Sequence, residues 1–285
     1  MSSARPEIRL IAVDLDGTLL DDKHRISPAN RKAIAAAQQA GIVFAICTGR
    51  FFEDACLHAL DYGLDCPVIS VNGGKVALAP FGQVLTEHRM EDNVAMTSME
   101  CLEALDAAYF VFGERRVGIR KTGDKHLSQI NFGEARMLAE TGTTYHYGKE
   151  SCLETVQGGI FKFYVHALND RPKLQRIIGE LEKIPGISLA QSGTDNVEIM
   201  PPHVSKGRGM SDLAEYLKVP LANTMAIGDQ ENDLPMLRIA GLGVAMGNAT
   251  REVKSSAHLI TESNTQDGVA RAIERYALGV SDGQP

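Results

Sequence analysis

"IRLIAVDLDGTLLDD" (Ile8–Asp22) is a nearly unbroken apolar run that ends abruptly in two carboxylates, a glycine and a threonine. A continuous run of branched apolar residues implies a strand buried on both faces, as in a parallel sheet covered by helices. Such sheets bind their ligands at the carboxyl ends of the strands. Side chains two apart on a strand share a face, so continued extension would direct Asp14 and Asp16 to one point just beyond the sheet. Two anions placed there need a shared proton or a cation, and Mg2+, with its preference for hard oxygen ligands, is the natural neutraliser. Capping is the plainer role for one of them, because Asp-Gly is a common turn signal. The whole "DLDGT" after a buried strand favours catalysis.

Working outward, "SPANRKAIAAAQQAG" (Ser27–Gly41) reads as a helix with Ser27 as N-cap, Pro28 in the first turn and Gly41 as the stop. "IVFAICTGR" is a second buried strand, "FFEDACLHALDYG" a second helix and "CPVISVNGG" a third strand. "KVALAP" and "QVLTEH" flank Phe81-Gly82 as a hairpin. From residue 85 to residue 200 the pattern becomes α+β, with helical "NVAMTSMECLEALDAA" and "RPKLQRIIGELEKI" among the strands "AYFVFG", "IFKFYVHA", "ISLAQS" and "NVEIMP". Beyond Pro201-Pro202 the α/β rhythm resumes in "SKGRGMSDLAEYLKV", "NTMAIGD", "NDLPMLRIAG", "GLGVAMG" and "NATREVKSSA", and closes on "DGVARAIERYALG". The expected fold is α/β: a doubly wound, Rossmann-like parallel-sheet core formed by residues 1–84 and 201–285, with residues 85–200 inserted as an α+β domain.

The totals narrow the function. With 285 residues, 44% hydrophobic and 23% charged, the chain has the composition of a folded globular protein. A net charge of −7 argues against a nucleic-acid partner. "MSSARPEIRL" lacks the long apolar core of a secretory signal, and no stretch approaches the roughly 20 apolar residues that span a bilayer. The expectation is a cytoplasmic protein without membrane contact. Five scattered cysteines form no CxxC pair, and Cys47, inside an apolar strand, reads as core packing. The eight histidines show no zinc-ligand spacing.

Three further segments end strands or start helices with the chemistry a phosphate needs. "CTGR" (Cys47–Arg50) offers the Thr48 hydroxyl, the Gly49 and neighbouring backbone N–H groups and the Arg50 cation, although Thr48 alone would be an ordinary cap. Lys206 stands at a helix start, where the dipole disfavours a cation by about 0.3–1 kcal/mol unless an anion is near. "GDQENDLPML" ends a strand with Asp229 and opens a helix with Asn232 and Asp233, of which Asp229 suits an oxygen shell for a metal and Asp233 reads equally well as a cap by pattern alone. "NGGK" (Asn72–Lys75) lacks the spacing of a phosphate loop and reads as a turn, and "TYHYGK" (Thr144–Lys149) reads as a surface loop.

Taken in order, "DLDGT", the Thr of "CTGR", Lys206 and "GDQEND" resemble the motifs of the haloacid dehalogenase superfamily, specifically its Cof-type, sugar-phosphatase-like branch with a large inserted cap. The resemblance covers nearly the whole chain. It implies a Mg2+-dependent phosphatase of small phosphomonoesters, with sugar phosphates the leading class, working through an aspartyl-phosphate. By that resemblance Asp14 is the nucleophile and Asp16 the general acid and base. Thr48, Gly49, Arg50, Lys206 and Asn232 serve the phosphate. Asp14, Asp229 and the backbone carbonyl of Asp16 ligate the metal, and Asp233 supports its waters and orients Lys206. Asp16 itself favours a phosphatase, since related ATPases and dehalogenases carry other residues there. The partner expected is a small phosphorylated molecule, and the protein a monomer or homodimer. A sugar-phosphate phosphomutase and a non-catalytic sugar-phosphate-binding protein are the alternatives.

Overall fold

The computed structural model describes residues 7–121, 134–167 and 169–280. Two compact units emerge, one from residues 1–86 with 205–285, the other from residues 87–204.

In the first unit β1 (Leu10–Val13) is wholly buried, and each of its large side chains contributes about 1.5–3 kcal/mol by leaving water. β1 pairs in parallel with β2 (Val43–Cys47) on one side and with β12 (Thr224–Gly228) on the other. β3 (Val68–Ser70), β4 (Lys75–Ala77) and β5 (Val84–Glu87) extend the sheet past β2, with β4 antiparallel to β3. β13 (Leu242–Ala245) and β14 (Leu259–Ile260) extend it past β12. The eight-strand order is therefore β14-β13-β12-β1-β2-β3-β4-β5. The chain winds away from β1 in both directions, so the β1/β12 boundary is the switch point at which a doubly wound sheet opens a crevice. Asp14 follows β1 and Asp229 follows β12 at that boundary.

Helices supply the rest of this core. α1 (Pro28–Gln39) starts where the sequence reading places it, with the Ser27 side chain accepting from Asn30 N at 3.1 Å. α2 (Phe52–Asp61), α7 (Lys206–Tyr216), α8 (Leu234–Ile239), α9 (Arg251–Ser256) and α10 (Gly268–Ala272) follow the strands as the apolar periodicity requires. Ile34, Met210, Leu213 and Ile273 pack with β1 and β2 in one apolar core.

The second unit holds a six-strand sheet ordered β10-β11-β9-β6-β7-β8: β6 (Ala108–Gly113), β7 (Arg116–Ile119), β8 (Thr144–Tyr147), β9 (Ile160–His166), β10 (Ser188–Ala190) and β11 (Asn196–Met200). Its pairings are antiparallel except β7 with β8. α3 (Asp92–Ala104), α5 (Lys149–Gln157) and α6 (Arg171–Leu181) share one core with Tyr109, Val111, Phe163 and Val165; residues 134–141 form a further helix, α4. Phe110 of β6, with Val117 and Ile119 of β7, makes a second cluster, bordered by Phe112, Tyr145 and Tyr164. "TYHYGK" is thus β8 and the start of α5, where the sequence reading has a surface loop. Tyr145 is partly buried against the Phe110 cluster. Among the described residues no helix is long and apolar enough to cross a membrane.

Candidate active site

The peptide leaves β1 at Val13, and the next residue is 5% exposed Asp14. Gly17 then turns the chain with φ +77°, and a Cβ there would lie 2.5 Å from Asp229 Oδ2. Only glycine brings this backbone so close to a second carboxylate while adopting a left-handed conformation. Thr18, wholly buried, donates to Asp229 Oδ1 at 2.8 Å, and Gln230 Nε2 donates to Asp229 Oδ2 at 3.1 Å.

Asp233 lies in the tight turn of residues Glu231–Asp233 and is entirely buried. Its Oδ2 accepts the backbone N–H groups of Asp229 (2.8 Å) and Gln230 (2.9 Å), and its Oδ1 accepts from Lys206 Nζ at 2.5 Å. Asp233 is both the cap of its own turn and an anchor for Lys206. Gly228 is obligatory beside it, because a Cβ there would fall 2.4 Å from Asp233 Cγ. Lys206, 1% exposed at the first position of α7, donates to Asp14 Oδ1 at 2.6 Å as well as to Asp233. These two carboxylates offset both the loss of water and the unfavourable helix dipole.

Ligand atoms of Asp14, Asp229 and Asp233 all lie within 4.8 Å of one another. Three buried carboxylates face one buried ammonium, an imbalance that shows in Asp14 and Asp229. Burial, with Asp233, Asp229 and Asp16 adding to it against Lys206, raises Asp14 well above the ordinary carboxylate value. Burial and Asp233 push Asp229 up to about 6, against the Thr18 and Lys206 contacts. Burial works against the charge of Lys206, yet Asp14 and Asp233 outweigh it and raise its pKa. Excess negative charge among hard oxygen donors is what a divalent cation relieves, so the cluster fits a metal site.

Asp16 lies apart from this cluster. The sequence reading extends strand alternation through residue 16, but β1 stops at Val13 and the Gly17 turn redirects the chain. The half-exposed Asp16 side chain is gripped by Arg50, with Nε to Oδ2 at 2.7 Å and Nη2 to Oδ1 at 2.6 Å. Partial burial opposes ionisation of Asp16, but the Arg50 and His24 contacts prevail and hold its carboxyl well below the usual range. His24 Nδ1 lies 3.7 Å from Asp16 Oδ1. Arg50 also donates from Nη1 to Asp54 Oδ2 and to His58 Nε2, both at 2.9 Å.

Thr48 is buried at the end of β2, where its hydroxyl accepts the Arg50 N–H at 3.2 Å. It is not the cap of α2, whose N-cap position is Phe51. Gly49 occupies the same turn and is partly exposed. Asn232 is buried and donates to Asn72 Oδ1 at 3.2 Å; Asn72 stands after β3 with φ +57°. Cys47 is buried with Sγ 3.8 Å from the Lys206 carbonyl, and burial, with Asp233 and Asp14 reinforcing it against Lys206, raises its pKa, so the thiol is an inert part of the core. The structure therefore joins Asp14, Lys206, Asp229 and Asp233 directly, sets Asp16 with Arg50, and pairs Asn232 with Asn72. Thr18, Asn72, Asp54 and His58 are additional members that the sequence reading does not single out.

The family model for haloacid dehalogenase-like hydrolases matches residues 11–273. Over 283 residues the chain is 30% identical to phosphatase YwpJ of Bacillus subtilis (strain 168), which covers 94% of this chain and 99% of that protein. It is 30% identical to the 5-amino-6-(5-phospho-D-ribitylamino)uracil phosphatase YwtE of the same organism, covering 95% and 99%. Among solved structures, a haloacid dehalogenase-like hydrolase from B. subtilis superposes with a TM-score of 0.83 at 30% identity, over 94% of this chain and 99% of that one.

Proposed function

The chain belongs to the haloacid dehalogenase-like hydrolases, and from that premise we propose that it is a Mg2+-dependent phosphatase of small phosphomonoesters, sugar phosphates foremost, with Asp14 as nucleophile. The observation that carries this is the convergence of Asp14, Asp229 and Asp233 on Lys206 at the switch point of the sheet. The similarity to a phosphatase whose named substrate bears a phosphorylated ribityl chain supports the sugar-phosphate class.

Asp14 attacks phosphorus, the ester oxygen leaves, and an aspartyl-phosphate forms on Asp14; water then attacks that phosphorus and frees the carboxylate. Lys206 holds Asp14 in place and offers its positive charge to the phosphoryl oxygens, which weakens the repulsion between two anions. Asp233 keeps Lys206 pointed at Asp14. Thr48 and the N–H groups of the Gly49 turn receive phosphoryl oxygen, and Asn232, steadied by Asn72, provides an amide donor. To serve the leaving group Asp16 must first take up a proton, against the pull of Arg50 and His24 toward its anion; it gives that proton to the leaving oxygen and then takes one from water. Asp14, Asp229 and the Asp16 carbonyl would hold Mg2+, with Asp233 behind them; when bound, the ion neutralises the cluster and polarises the phosphoryl oxygens.

Phosphate release from a panel of phosphomonoesters in the presence of Mg2+, with Asp14→Asn as control, tests the assignment. Turnover of sugar phosphates by the wild type and none by the variant is expected. Isomerised hexose phosphate without free phosphate would favour the phosphomutase, and tight binding without release across the panel a binding protein.

A further inference from the structure

Arg50 uses four N–H directions, and they point to two opposite sets of acceptors. One edge of the guanidinium, Nε and Nη2, meets the two oxygens of Asp16 in parallel hydrogen bonds of 2.7 and 2.6 Å. The far nitrogen, Nη1, meets Asp54 Oδ2 and His58 Nε2. Asp54 and His58 stand four apart on α2, and His58 Nδ1 lies 2.9 Å from the Asp54 carbonyl oxygen. Arg50 Nη1 lies 2.9 Å from His58 Nε2 and 3.3 Å from Nδ1; a carbonyl only accepts, so the tautomer with its proton on Nδ1 serves the Asp54 carbonyl and leaves the Nε2 lone pair for Arg50. Helix α2 thus presents two acceptors that fix the fork of Arg50 from behind. The Asp16 side chain, by contrast, is 48% exposed, follows no regular element, and has the His24 imidazole at 3.7 Å as a second neighbour.

We propose that Arg50 is the positioning residue of Asp16, setting the direction of its carboxylate from a seat built by Asp54 and His58. The proposal rests on the phosphatase reading in which Asp16 serves the leaving group. One of the two Arg50–Asp16 hydrogen bonds opens as that Asp16 oxygen takes up a proton and turns to the leaving group, and the other, to the unprotonated oxygen, keeps the carboxyl aimed. Arg50 is assigned to phosphate binding by the sequence reading. Its hydrogen bonds go instead to side chains of its own protein, and a phosphate would have to displace them. A bidentate fork supplies direction that a lysine at the same place would lack, because an ammonium is a point charge without a planar pair of donors.

The test compares phenyl phosphate, whose phenolate needs a proton to leave, with p-nitrophenyl phosphate, whose leaving group does not. kcat and KM are measured with Mg2+ for the wild type, Asp16→Asn, Arg50→Lys and His58→Ala, each checked by thermal melting. Asp16→Asn should lose about 10²–10⁴-fold in kcat on phenyl phosphate and far less on p-nitrophenyl phosphate. Arg50→Lys and His58→Ala should each lose about tenfold on phenyl phosphate, with KM changed less than about twofold and the substrate ratio moved toward that of Asp16→Asn. A rise in KM on both substrates with the ratio unchanged would make Arg50 a phosphate ligand and overturn the proposal, as would no change at all. If Asp16→Asn loses equally on both substrates, Asp16 is not the acid, and the failure lies in the underlying phosphatase reading, taking the proposal with it. Should His58→Ala fail to fold, Arg50→Lys decides alone.

Discussion

Replacing Asp229 by Asn should stabilise the metal-free protein while removing its response to Mg2+. Asp229 is 3% exposed and its carboxyl is pushed up to about 6 from an ordinary 3.8, so the folded chain resists its ionisation. Between those values the folded state binds more protons than the unfolded one, and stability falls as pH rises from about 4 to about 6, then levels. At about 1.4 kcal/mol per pKa unit, ionised Asp229 costs about 3 kcal/mol at neutral pH. Asn still accepts from Thr18, but its amide faces the Gln230 donor, which returns about 1 kcal/mol. The net gain of about 2 kcal/mol corresponds to roughly 4–8 °C in melting temperature. Scanning calorimetry with a chelator at about pH 7.5 should show this rise, and at about pH 4, where only the loss at Gln230 remains, the rise should vanish or reverse slightly. Adding Mg2+ should raise the wild type and leave Asp229→Asn unmoved. A variant that melts below the wild type in chelator at about pH 7.5, or a difference independent of pH, would refute the idea that uncompensated negative charge defines the cluster.

Lys206→Met strands two carboxylates in the interior, and urea titration should record a loss of about 3–5 kcal/mol, part of which Asp14→Asn in the same chain restores. Gly17→Ala forces a Cβ against Asp229 Oδ2 at a left-handed φ; titration calorimetry should find Mg2+ binding weakened about tenfold or more, as for other groups that orient a metal ligand.

Most of the core sheet was legible because its signals are local. Four-residue runs such as "LIAV" and the small residues that end them identify buried parallel strands without any knowledge of their neighbours. Asp14 and Asp229 stand out for the same reason, each closing such a run, and Lys206 stands out by its position against the dipole of α7. What escaped depends on contacts far apart in sequence or on the exact end of an element. Thr18 reaches a carboxylate 211 residues away, and Asn72 meets Asn232 across 160. Alternation along β1 cannot govern Asp16, because the strand has already stopped and a glycine has turned the chain. The pair Asp54 and His58, four apart on the helix after "CTGR", is a visible signal for a support behind Arg50, but helical spacing alone does not say which residue the pair meets. In the inserted unit β7 and β8 are four residues each, and α5 starts at Lys149 after Gly148, which offers no side-chain cap, so periodicity had too little length to work on.

The covalent intermediate offers the most direct measurement. Acyl phosphates are reduced by borohydride, whereas free carboxylates are not, so protein quenched with borohydride during turnover and digested for mass spectrometry should carry homoserine at position 14 and nowhere else. Aspartate unchanged at position 14 while phosphate release continues, or homoserine at position 16 or 229 instead, would contradict Asp14 as the residue that takes the phosphoryl group.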